Sequence, residues 1–313
     1  MLLHVLHETR YEYAPPVRTA QHMLHLKPAQ DSLQRLVSHS LDITPEPALR
    51  SERTDVYGNT RSFFALQSPH AQLRVVAESV VETSAPPPCG PDMAWEEVRE
   101  RMRYHRAAQY DAATGFVFAS PYVPRHEHFL AYGAPSFRPG RGLLEAVGDL
   151  MLRIHTEFSY KTSVTDVGTP ALQALALRKG VCQDFAHVML GCLRSLCLPA
   201  RYISGYLLTE PPPGRQRLVG SDASHAWVEV YLPAQDGPGQ WVGFDPTNNR
   251  APAEDYVRLA LGRDYSDISP MRGVIHGGAN HKLAVAVTVT PRVAAAASGC
   301  CRRALQLLQS PHS

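Results

Sequence analysis

Apolar and polar positions alternate with a period of two along much of the first 83 residues. Leu73, Val75, Ala77, Ser79 and Val81 fall on one face of an extended chain, and so do Val37, His39, Leu41 and Ile43. Successive side chains of a strand point to opposite faces, so these runs predict half-buried strands. Asp55-Val56-Tyr57-Gly58-Asn59 before Ser62-Phe63-Phe64-Ala65-Leu66 reads as a turn entering a strand, because Gly and Asn tolerate positive φ. Residues 1–83 are therefore expected to form an all-β module, an antiparallel sandwich or small barrel. Ser84-Ala85-Pro86-Pro87-Pro88-Cys89-Gly90-Pro91 breaks every periodicity, since proline continues neither a ladder nor a helix, and 84–91 reads as a linker.

Beyond the linker the period lengthens. Trp95, Val98 and Met102 have helical spacing, and Leu143, Leu144, Val147, Leu150, Met151 and Ile154 form a clearer stripe. Between them Phe116 to Pro124 reads as an extended connection. An Ala/Leu-rich helix is predicted over 171–178, closed by Arg178-Lys179-Gly180 with cations in its last turn and glycine past its end. A second helix starts at Cys182, buries Phe185, Val188, Met189, Cys192, Leu193 and Leu196, and stops at Pro199. Segments 201–207, 225–231 and 240–245 then read as three strands between Pro/Gly loops, and 284–290 as one more. Helices followed by antiparallel strands make the fold class α+β, with a second unit over 92–292 and a tail over 293–313.

Composition narrows the function classes. A chain of 313 residues with 44% hydrophobic and 19% charged residues is ordinary globular material, enough for two domains. A formal charge of +2 without blocks of Lys or Arg lacks the electrostatic footprint of a nucleic-acid binder. The N-terminus has no basic region before its apolar residues, and no run approaches the roughly eighteen apolar residues of a membrane helix, so a cytoplasmic protein is expected. The six cysteines are irregularly spaced and read as free thiols, with Cys192 and Cys197 as core packing. Among fifteen histidines the closest pairs are His22 with His25 and His126 with His128, and neither completes a metal ligand set. No metal site is expected. Gly140-Arg141-Gly142 is too short for a phosphate loop, and Cys300-Cys301-Arg302-Arg303 lacks a terminal anchoring motif.

The chemistry is concentrated in Gly180-Val181-Cys182-Gln183-Asp184-Phe185-Ala186-His187, which sets a cysteine in the first turn of a buried helix. Unpaired N–H groups and the positive end of the helix dipole stabilise a thiolate there and could receive an oxyanion. Such a nucleophile needs an imidazole to exchange its proton, and Ser224-His225-Ala226-Trp227 supplies one. The imidazole needs an orienting carboxylate, which Phe244-Asp245-Pro246-Thr247-Asn248 places at the end of the next strand. Cys182, His225 and Asp245 are thus the candidate nucleophile, base and orienter. Asp184 in the first helical turn reads as structural, and His187 as packing, since a base on the same helix reaches a leaving group poorly.

These three motifs, in this order, resemble those of bacterial transglutaminase-like proteins. The first eighty or so residues, with Tyr11-Glu12-Tyr13 and Leu26-Lys27-Pro28, resemble the β-rich domain that accompanies that core, and Gly262 to Asp267 resembles the segment after its Asp. The resemblance implies a papain-like core in which a helix carrying Cys packs on an antiparallel sheet carrying His and Asp, without a cofactor. It departs from the calcium-dependent animal enzymes, which have Trp where this chain has Gln183, and no acidic loop here suggests a calcium site. Gln183 and Tyr160 are candidate substrate contacts. The expected reaction is hydrolysis of a peptide, isopeptide or other amide through a Cys182 thioester. Acyl transfer to an amine and a non-catalytic binding module stand as alternatives.

Overall fold

A computed structural model describes residues 1–103, 111–162, 164–165, 167–209, 224–234, 237–278 and 280–292. The tail over 293–313, with Cys300 and Cys301, lies outside the described residues. The fold is α+β. Its first part contains β1 (Leu2–Leu24), β2 (Gln34–Thr44), β3 (Leu49–Thr54), β4 (Thr60–Leu66) and β5 (His70–Thr83). Then come α1 (Trp95–Arg101), α2 (Glu127–Gly133) and α3 (Leu143–Glu157). The short strands β6 (Ser159–Tyr160) and β7 (Lys179–Gly180) flank α4 (Ala171–Leu177) and lead into α5 (Cys182–Ser195). The chain closes with β8 (Ala200–Leu207), β9 (Ser224–Leu232), β10 (Gln240–Phe244), β11 (Tyr256–Gly262), β12 (Met271–Gly277) and β13 (Asn280–Pro291).

Among the described residues β1 is the axis of a seven-stranded sheet in the order β2-β5-β1-β4-β3, and β12 and β13 also pair with it. The last two strands therefore return to the first sheet. The division at 84–91 separates stretches that share one core: Leu3, Val5, Val81, Val287 and Val289 pack in the same cluster as Phe185, Val188 and Leu193 of α5. The alternation in β5 is as the sequence predicts, with Leu73, Val75, Ala77, Ser79 and Val81 buried. In β2 it fails at Val37, which is 47% exposed. The register against β5 slips between Leu36 and Ser38, and one extra residue in a strand turns its side chain to the other face.

The second sheet has the order β10-β9-β8-β11. Helix α5 lies against β8 and β9 and beneath α2 and α4, and every residue from Gln183 to Arg194 is buried. A helix covered on all sides has no use for a polar face. The fully buried Arg194 is tolerated because its donors are taken: Nε by Phe116 O at 3.1 Å, Nη1 by Ser120 Oγ at 3.0 Å, and Nη2 by Ala200 O at 2.8 Å and Arg263 O at 2.5 Å. Cys192 is core packing, but Cys197 is exposed. It takes φ 61° just after Leu196, the residue that caps α5, with the N–H of Leu198 reaching back to Leu193 O, so the chain turns its side chain outward. Two further readings differ. The helix before Cys182 ends on Arg178 itself in the left-handed region, φ 51°, and Phe116 and Val117 belong to a short 3-10 turn capped by Asp111 instead of an extended connection.

Strand β11 is an edge of its sheet, and an edge presents unpaired backbone groups. Two amide side chains from the first part of the chain cover it. Gln34 Nε2 donates to Arg258 O at 2.7 Å while Gln34 Oε1 accepts from Arg258 N at 2.8 Å. Asn59 makes the same pair of bonds with Leu261, at 2.7 and 2.8 Å. Arg258 adds ion pairs to Glu229 at 3.1 Å and to Asp31. Gln34→Ala and Asn59→Ala each remove three hydrogen bonds, two of them to β11, and leave backbone groups unpaired. Each is expected to cost about 1–3 kcal/mol of stability in urea unfolding. A loss near zero for both would show that these amides do not hold the two parts together.

Candidate active site

The first turn of α5 is built around Asp184. Its carboxylate accepts the N–H of Val181 at 2.8 Å and the hydroxyl of Thr165 at 2.7 Å, which fixes the entry of the helix. The carboxylate lies so close to the Gly180 Cα that a β-carbon there would collide with it, which explains the glycine two residues before Cys182. Asp184 is 1% exposed, in keeping with a structural role. Gln183 is buried as well, and its amide donates to Val167 O at 3.1 Å. Both residues pin the preceding loop to the helix start.

Cys182 is partly exposed, with Sγ 4.0 Å from Ser224 O at the head of β9. Tyr160 stands beside it. The parallel bridge between β6 and β7, with Lys161 N donating to Gly180 O at 2.8 Å, carries Tyr160 next to Gly180. Its half-exposed phenol is pushed up, first by burial and then by the charges at Cys182 and Asp184. His187, by contrast, points into the core. Its Nε2 accepts the N–H of Tyr265 at 3.2 Å, its ring lies 5.1 Å from that of Tyr202, and burial lowers its pKa to about 4.

His225 is the second residue of β9, and its Nε2 lies 2.7 Å from Asp245 Oδ2. With Nε2 committed to that carboxylate, Nδ1 is the ring nitrogen left for Cys182. The ring is held by Trp227, stacked at 6.2 Å and 28°, and by Tyr256 at 6.0 Å. Burial alone would lower the imidazole pKa. The hydrogen bond that the ring donates to Asp245, and the hydrogen bond and charge of Cys182, outweigh it, and the value is raised to about 10.

Asp245 has no solvent exposure, and its two oxygens are fully engaged. Oδ2 takes His225, the Asn248 amide at 2.7 Å and the Tyr256 hydroxyl at 2.7 Å, while Oδ1 takes the N–H groups of Thr247 at 2.9 Å and Asn248 at 3.2 Å. Burial would raise this carboxyl, but the bond to His225, with those of Asn248 and Tyr256, lowers it below the usual carboxylate range. Arg250 caps the cluster, its guanidinium 4.7 Å above the Tyr256 ring.

The chain is 40% identical over 293 residues to uncharacterized proteins of Mycobacterium tuberculosis and Mycobacterium bovis, covering 92% of this chain and 92% of each relative. Residues 3–82 match the bacterial transglutaminase-like N-terminal region, and residues 134–246 match the transglutaminase-like superfamily. The chain belongs to the transglutaminase-like superfamily. The candidate cysteine protease from Cytophaga hutchinsonii shares the fold of this transglutaminase-like chain, with a TM-score of 0.71 at 20% identity over 93% of this chain and 90% of that one. A protein-glutamine gamma-glutamyltransferase of Pseudomonas aeruginosa is 32% identical over 128 residues, 38% of this chain and 19% of that enzyme.

Of the residues singled out from this transglutaminase-like sequence, the structure gathers Cys182, His225, Asp245 and Tyr160, and turns Gln183 toward the loop. His22 and His25 lie in separate surroundings, His22 against Phe64 and His25 against Ser269. His126 and His128 are neighbours at 4.6 Å, and among the described residues no group of three or more candidate ligands forms. Sequence reasoning missed Tyr256 and Asn248. The Asn248 link is local, in the turn after Asp245, but nothing near Tyr256 signals its bond to a residue eleven positions away.

The imidazole offers a direct check. In a pH titration followed by NMR, the His225 ring is expected to lose its proton near pH 10, and Asp245→Asn is expected to move that midpoint down. Removing the carboxylate removes what favours the charged ring. A wild-type midpoint near 6.5, or one unmoved by Asp245→Asn, would contradict the arrangement.

Proposed function

We propose that the protein is a thiol hydrolase acting on peptide or protein amides, in the cytoplasm, through a thioester on Cys182. The observation that supports this most is the placement of His225 between Cys182 and an Asp245 whose remaining lone pairs are all occupied. With its proton already held by His225 Nδ1, Cys182 Sγ attacks the amide carbonyl and a sulfur–carbon bond forms. The oxyanion is received at the start of α5, where helix geometry leaves the Cys182 N–H without an intrahelical acceptor. As the carbon–nitrogen bond breaks, the imidazolium returns the proton to the departing amine. Water then attacks the thioester and gives its proton to the same nitrogen, the carbon–sulfur bond breaks, and the acid leaves with the Cys182 sulfur and the His225 imidazolium restored. Asp245 keeps the ring in the tautomer that this sequence of transfers requires.

The likeness to the Pseudomonas gamma-glutamyltransferase supports a second reading, in which an amine replaces water as the acceptor. Water is present at about 55 M, so an amine prevails only where the enzyme binds it beside the thioester. Gln183 stands where the cross-linking animal enzymes carry Trp, and its amide is engaged by Val167 O. These points favour hydrolysis.

The test is a peptide amide offered with an excess of a labelled primary amine, with products followed by mass. Free acid is expected as the main product, and Cys182→Ala is expected to abolish turnover with stability within about 1 kcal/mol of wild type. Amine-exchanged product dominating across several substrates would make the protein a transferase. Full activity in Cys182→Ala would remove the nucleophile from this scheme.

A further inference from the structure

Far along the chain from the thiol site, three arginines are brought to one face of the first sheet. Arg53 on β3 lies directly opposite Arg61 on β4. Two residues on from Arg61, Phe63 lies opposite Met23, and Met23 lies opposite Arg272 on β12. Residues opposite one another, and those two apart along a strand, share a face, so Arg53, Arg61 and Arg272 point the same way. Like charges placed directly across a ladder repel. No carboxylate lies within ion-pairing distance of any of the three among the described residues, whereas Arg263 beside them is fully engaged by Asp267 at 2.9 Å.

Arg272 Nη1 donates to Ser266 O at 2.9 Å, but the donors that converge between Arg61 and Arg272 meet a weak acceptor. Arg61 Nε lies 3.1 Å and Arg272 Nη2 3.6 Å from one atom, the sulfur of Met23. A thioether accepts hydrogen bonds poorly, so two guanidiniums converge on a point that satisfies neither. They do so in an open groove of about 510 Å³, lined by Thr54 to Tyr57, Arg61, Arg263, Asp267 and Arg272. The groove's own carboxylates are committed elsewhere: Asp55 to the N–H groups of Tyr57 and Asn59 and the Asn59 amide, Asp267 to Arg263 and the Tyr57 hydroxyl.

A second observation concerns His25, cross-strand from this group and 2% exposed. Its Nδ1–H donates to Ser269 O at 3.1 Å, which leaves Nε2 as a bare acceptor. That nitrogen has no partner and lies 3.9 Å from Asp55 Oδ2, another acceptor. Asp55 Oδ2 already accepts from the Asn59 amide at 2.9 Å, so the place lacks an anion for the arginines and a hydrogen-bond donor for His25 Nε2.

We infer that this groove binds a phosphate-class oxyanion, either free phosphate or a phosphomonoester, held by Arg61 and Arg272 with Arg53 alongside. A tetrahedral oxyanion offers several acceptor oxygens to the guanidinium forks, and such charge-assisted bonds are the strong ones. A monoprotonated phosphate also carries a hydroxyl of the kind that His25 Nε2 lacks. Sulfate has the same shape and is fully deprotonated near neutral pH, so the site should prefer phosphate.

Calorimetric titration of the full chain with inorganic phosphate, glycerol phosphate and sulfate tests this. Saturable phosphate binding is expected with a Kd of about 1 mM or tighter. Sulfate should bind about tenfold more weakly, and Arg61→Gln and Arg272→Gln should each weaken phosphate by about tenfold or more. Arg35→Gln, which opens an exposed pair with Glu82 elsewhere on the sheet, should change nothing. Glycerol phosphate binding as well as phosphate identifies an esterified ligand, and its exclusion identifies free phosphate. No saturable binding up to about 50 mM phosphate, or binding untouched by both substitutions, overturns the site. Sulfate binding as tightly as phosphate overturns the role given to His25.

Discussion

A buried carboxylate is the constraint on which the candidate site depends. Stripped of water, an ionised Asp245 is tolerable only if its lone pairs are taken, because an unpaired buried charge costs several kcal/mol. Five donors meet that demand, and they come from three places: β9 through His225, the turn after β10 through Thr247 and Asn248, and β11 through Tyr256. The carboxylate therefore fixes where these segments sit relative to one another as much as they fix it. The imidazole inherits that rigidity, pinned by one nitrogen and held by aromatic rings, so that its other nitrogen is directed at the head of α5.

The first sheet reaches this cluster through β11. Gln34 holds the backbone of Arg258, Asn59 that of Leu261, and Thr83 donates to Glu254 O at 2.5 Å, while Tyr256 on the same strand carries the hydroxyl that meets Asp245. The β-rich part of the chain is thus joined to the site by hydrogen bonds and by a common core, with His7 on β1 bonded at 2.8 Å to the buried Tyr206 hydroxyl of β8. Two strands from the far end of the chain complete the first sheet, which closes the molecule on itself.

Much of this was legible in the chain because the signals are local. The helix from Cys182 is marked by its periodicity, its glycine and the capping Asp184, and strands β8 to β10 by apolar runs between turn residues. What escaped depends on partners distant in sequence. Strand β11 is a short segment whose edge is completed by Gln34 and Asn59, about two hundred residues earlier, and β12 and β13 join β1 across almost the whole chain. Val37 was misplaced because a bulge leaves no mark on composition, and Cys197 because a helix end reverses the direction of a side chain that the helical pattern would bury. The three arginines around Met23 were invisible for the same reason: three different strands bring them together.

The central claim is that this framework makes Cys182 reactive through His225. The most direct measurement is competitive alkylation of the native protein at pH 6, with the modified cysteines resolved by mass. Cys89 and Cys197 are more exposed and serve as internal controls. The account requires Cys182 to react ahead of both despite its smaller exposure, and to lose that lead in His225→Ala. Alkylation that follows exposure, with Cys89 and Cys197 leading and His225→Ala without effect, would contradict it.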